Sequence, residues 1–224
     1  MSLPPPDNRK ERPARRGLAA LLVGVCLVGV AVADPLPWRP YRGVEYDGDF
    51  ELPAPYRGPA EWVFGRLMYP SIGWGSQWLY GGTSWTIDYP RGDRHIAALV
   101  RRLSVIDARS VEQPVNLDDG DDVFNWAWLY AVEVGQWYLS EPEAALLREY
   151  LERGGFLMVD DFWGEFEWQI FTESMSRVFP DRPIQELGED HELMHVLYDL
   201  DQRTQIPGRG GQRAGTVPHW RAIL

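Results

Sequence analysis

Apolar and polar positions along this chain repeat with two periods, and the change from one to the other marks its elements. Residues 62–69 form an apolar run stopped by Pro70, which predicts a first strand. Ile96, Leu99, Val100 and Leu103 recur at helical spacing and predict an amphipathic helix over 93–104, with Asp93 as N-cap. A short strand is expected at 115–117 and a longer one at 124–132. Ser140 followed by Glu143 reads as a capping box that opens a helix. Ala144, Leu147 and Leu151 fall on one face of that helix, with Tyr150 beside them. Gly154 and Gly155 end it, because glycine enters the left-handed region without a Cβ clash.

The continuous apolar run at 156–159 predicts a strand covered on both faces. A helix over roughly 167–178 follows, with Ile170, Phe171, Met175 and Val178 inward, and then a strand at 184–187. Strands alternating with helices give an α/β fold in three αβα layers around a mostly parallel sheet. No internal repeat is present.

Two N-terminal stretches lie outside that alternation. Residues 1–33 read as a signal peptide: Arg9, Lys10, Arg12, Arg15 and Arg16 precede an apolar run at 18–30 and a small-x-small site at 31–33. The alternative is an uncleaved N-terminal anchor, the one route by which this chain would touch a membrane. Arg15-Arg16 leaves Sec and twin-arginine export both open. Residues 34–59 are proline-rich without periodicity and read as a tether, or an arm lying on the domain of residues 60–224. The expected location is the periplasm or cell envelope.

Past residue 33, seventeen arginines and no lysine face thirty-one acidic side chains, a net charge of −14. That acidity disfavours nucleic acid and anionic lipid as partners. The single cysteine, Cys26, lies within the signal, so the mature chain has no disulfide, thiolate metal site or cysteine nucleophile.

The segment 147–163, the run 85–90 with Asp93, the run 178–183, and Asp190-His191 with residues 198–200 together resemble one bacterial family, domain of unknown function 4159. The resemblance covers roughly residues 60–224. It implies a flavodoxin-like fold similar to the class I glutamine amidotransferases, in proteins often associated with the cell envelope. The family has no established reaction, so it implies no catalytic residue. Family members continue past the point where this chain stops, within an apparent strand at 219–224, and the expectation is a domain lacking its last strand and helix. Cysteine-dependent glutamine amide transfer is excluded by the missing thiol.

Asp160 and Asp161 leave a strand at its carboxyl end, where open α/β sheets place their ligands. With Glu165 and Glu167 they could hold a divalent cation, or supply an acid and a base. The structural reading is that one caps the following helix and the other bonds to backbone or arginine. No cofactor is evident beyond such a metal. His191 and His195, four apart, are the further metal candidates if a helix carries them, though no third ligand is marked. The acidic stretch 118–122 reads as a solvated turn. Trp74, Trp78, Tyr80 and Trp85 in a glycine-rich loop, with Trp163, either form an aromatic platform for sugar or pack the loop onto its own domain. Two functions follow from different classes. One is a non-catalytic envelope module that binds a protein or glycan. The other is a metal- or carboxylate-dependent hydrolase acting on carbohydrate or cell wall.

Overall fold

The computed structural model describes residues 34–46, 52, 56, 60–196, 198–206 and 217–224. Residues 1–33, expected to be a signal peptide, lie outside them, as does much of the second half of the proline-rich stretch.

Four strands, β1 (Gly65–Met68), β2 (Gln113–Asn116), β3 (Trp128–Val132) and β4 (Phe156–Asp160), form one all-parallel sheet in the order β2-β1-β3-β4. This is the flavodoxin-like arrangement, and it puts the topological switch point between β1 and β3. Helix α1 (Arg91–Leu103) joins β1 to β2, and α2 (Glu141–Glu152) joins β3 to β4. Helix α3 (Gly164–Val178) follows β4. Right-handed crossovers in opposite directions place α1 on one face and α2 on the other. The register aligns Arg66, Tyr130 and Met158 on the α1 face. Leu67, Leu129, Ala131, Ala144, Leu147, Phe171, Met175 and Val178 belong to the core built with α2 and α3.

The capping box at α2 forms as its sequence requires: the Ser140 hydroxyl accepts from the Glu143 amide, and the Glu143 carboxylate accepts from the Ser140 amide. Gly154 is left-handed at φ 94°. Four expectations change. The longer third strand is only Trp128–Val132, because residues Leu117–Asn125 form 3-10 turns around Asp122. Asp122 is buried and accepts from the Leu36 amide and the Trp126 indole. Asp93 does not cap α1. It sits inside the first turn, fully buried against Arg66. The apolar stripe of α1 faces outward at Ile96, Leu99 and Leu103. Finally, β4 is an edge strand rather than one covered on both sides, with Phe156 51% and Met158 41% exposed on the α1 face. Phe156 stacks on Trp128 at 4.6 Å between ring centroids.

Near the C-terminus, β5 (Gln185–Glu186) pairs antiparallel with β6 (Arg221–Ala222) as a separate two-stranded sheet. Glu186 accepts from Arg203, His219 and Arg221 there. Residues 34–46 lie on the domain as an arm. Gln113 bonds to the Leu36 carbonyl, Arg42 bridges Gly81, and the Tyr41 ring meets Trp85 edge-on at 5.3 Å. Among the described residues, no helix is long and apolar enough to cross a membrane.

Candidate functional site

The carboxyl ends of β1, β3 and β4 lie along one edge of the sheet, and β3 and β4 leave it through left-handed residues. Tyr69, just after β1, donates its hydroxyl to the backbone carbonyls of Val132 and Glu133. The chain segments beyond β1 and β3 then pair across the crevice: the Ile72 amide bonds to Gln136 at 2.9 Å and the Tyr138 amide to Pro70 at 2.8 Å. Trp137 is fully buried in this closure and stacks on Phe171 at 5.6 Å.

Among the described residues, three other than glycine hold left-handed backbone: Asp88 (φ 58°), Glu133 (φ 49°) and Asp161 (φ 59°). All three are carboxylates at this one edge of the sheet. Backbone of this kind costs on the order of 1–3 kcal/mol per residue and gathers at functional sites. Glu133 turns β3 directly into a short 3-10 helix, Val134–Gln136. Strand-to-helix elbows of this sharpness are where α/β-hydrolases present their nucleophile. Here the elbow carries a carboxylate.

Its orientation is fixed by a relay. The Ser84 hydroxyl donates to Gln136 Oε1 at 3.0 Å, and Gln136 Nε2 donates to Glu133 Oε2 at 3.1 Å. Burial pushes the Glu133 carboxyl up to about 7, and Asp161, Glu167, Glu45 and Asp88 add to the rise. Asp160 is also raised, by burial first and Asp161 second, while its Oδ1 accepts from the Tyr130 hydroxyl at 3.2 Å. On the same face the Arg66 guanidinium lies 4.7 Å from the Tyr130 ring centroid and pairs with Asp93. Burial raises Asp93 to about 6 against the pull of Arg66.

Gly135 permits the close approach of α3. A Cβ at this position would stand 2.3 Å from the Glu167 Cβ. We expect Gly135→Ala to displace the first turn of α3 and lower stability by about 1–3 kcal/mol. Thermal melting checks this, and wild-type behaviour would mean that the helix shifts freely.

The sequence candidates are distributed as follows. Asp160 and Asp161 both stand at the switch-point edge, Asp161 accepting from the Trp163 indole at 3.0 Å. Glu167 accepts from the Trp163 amide at the start of α3, and Glu165 is exposed in its first turn. His191 and His195 do not share a helix face. They bracket a 3-10 turn, where His191 accepts from the Leu193 amide and His195 meets Asp199 and the Glu189 carbonyl. Among the described residues, no three His, Cys, Asp or Glu side chains gather around a point suited to a metal ion. The glycine-rich loop divides: Trp78 and Trp85 are buried, while Trp74 (45%) and Tyr80 (75%) are exposed.

Sequence reasoning passed over Glu133, Asp88, Glu45 and Arg66. A signal for two of them was present. Arg66 is a charge inside an apolar strand run, and Glu133 is a carboxylate at a strand end two residues before a glycine.

The fold and this edge together define an α/β domain with a carboxylate-bearing elbow. The family described as Domain of unknown function (DUF4159) matches residues 76–224, and the chain belongs to it. No curated protein matches the chain.

Proposed function

We propose that this is an exported, non-catalytic binding module of the cell envelope, which takes a glycan or a partner protein at the carboxyl edge of its sheet. The observation that carries this reading is the closed crevice: the protein's own backbone spans the place where a substrate would enter an open α/β sheet. What remains accessible is an outer surface on which Trp74 and Tyr80 offer ring faces, on the loop that leaves β1. Aromatic faces suit sugar rings, and neighbouring carboxylates accept hydrogen bonds from sugar hydroxyls. Export is supported by the basic, apolar and small-residue succession of residues 1–33.

A second reading, a carboxylate-dependent hydrolase, draws support from Glu133, whose carboxyl near 7 sits where a general acid or base works at neutral pH. Soluble cell-wall oligosaccharides decide between the two. Titration calorimetry should register binding that Trp74→Ala weakens by about tenfold, the value of one base or ring stacking contact of roughly 1.4 kcal/mol. Chromatography of the same mixture should return the oligosaccharides intact. Cleavage that Glu133→Gln abolishes would replace the binding module with the hydrolase.

A further inference from the structure

We propose that the charge on Glu133 sets how tightly the segment from Asp160 to Trp168 docks on the β3 elbow, making this edge a pH-responsive latch. The geometry puts the two sides in direct contact. The Glu133 amide donates to the Asp160 carbonyl at 3.0 Å, and Gly135 lies against the Glu167 side chain. The Glu133 carboxyl cannot swing away freely, because Gln136 holds it and Ser84 holds Gln136.

The groups that bear on it come from every element packed there. Asp161 and Glu167 come from the docked segment, Asp88 from the turn before α1 and Glu45 from the arm; Tyr69, beyond β1, is also close. Glu45 is itself fixed, accepting from the Asp88 amide at 2.8 Å. Arg66, buried nearby, is committed to Asp93. A protonated Glu133 leaves the contact with one charge fewer. Its ionisation sets like charges against Asp161 and Glu167 across the docking surface, and the side free to yield is the loop and first turn of α3. The rise of the Glu133 carboxyl to about 7 places this change between mildly acidic and mildly basic conditions. The latch stands whether or not the edge binds a glycan.

Hydrogen exchange read by mass spectrometry on the purified protein tests it, at pH 5.5 and 8.0 and corrected for intrinsic rates. Peptides over 160–168 should lose about tenfold in protection at the higher pH, the equivalent of one pKa unit of coupling. Peptides from α2 should not change. Glu133→Gln should keep 160–168 protected at both pH values. Asp161→Asn, which removes a facing charge instead, should shrink the difference, and it serves if the first variant does not fold. Equal wild-type protection at both pH values, or an undiminished difference in either variant, overturns the proposal.

Discussion

Arg66→Met is expected to lower stability by about 3–5 kcal/mol, the cost of leaving a buried carboxylate without its partner. For a domain of this size the fall in melting temperature is roughly 6–20 °C. Arg66 and Asp93 are both buried, and the guanidinium also reaches the carbonyls of Trp85 and Ile87 at 3.4 Å. Removing it therefore strands several acceptors at once. The deficit should depend on pH with a definite sign. Asp93 in the folded chain titrates near 6, against 3.8 as its ordinary value, so the folded state binds the proton more tightly. Its contribution is complete below about 3.8 and is lost as pH rises through 6. Without Arg66 the upper end of that window moves higher, and the variant should fall further behind as pH rises from 5 to 8. Arg66→Met combined with Asp93→Asn should recover part of the loss at pH 8. Melting curves at both pH values check this, and a deficit independent of pH would mean that the charge is not what the pair contributes.

Trp85→Ala should cost a comparable 3–5 kcal/mol, while Trp74→Ala in the same loop stays within about 0.5 kcal/mol. Trp85 is fully buried, donates its indole to the Trp78 carbonyl at 2.8 Å, and meets the rings of Tyr41 and Tyr89. It holds the loop, the arm and the start of α1 together. Trp74 projects from the loop and has solvent over it. Denaturant midpoints separate the two, and a large loss on Trp74→Ala would place that ring in packing and remove it from the proposed glycan surface.

Those two tryptophans mark the limit of what the sequence could convey. A tryptophan in a glycine-rich loop looks the same whether it turns in or out, because such a loop has no period to assign its faces. In α2 the period is enough: the helix, its capping box and its glycine stop all stand where the pattern places them. The parallel α/β class followed from the alternation of elements, as the four-stranded sheet bears out. Asp160 and Asp161 were found by position, at the end of an unmistakable apolar run. Glu133 was not. The pattern ends its strand correctly at Val132, so its place at a strand end is legible, but a left-handed turn made by a glutamate instead of a glycine is not. The outward stripe of α1 misled in a different way, since helical periodicity marks an apolar face without saying what lies against it.

The buried Arg66 also acts on the alignment of the strands. Side chains along a strand alternate between faces, so a slip of β1 by one residue against β3 would carry the guanidinium to the opposite side. There it would meet the aliphatic layer of Leu129, Ala131 and Leu147 instead of the Asp93 carboxylate. An aliphatic residue at 66 would tolerate both alignments. A charged one accepts a single register, and so the central pair of strands carries its own proofreading.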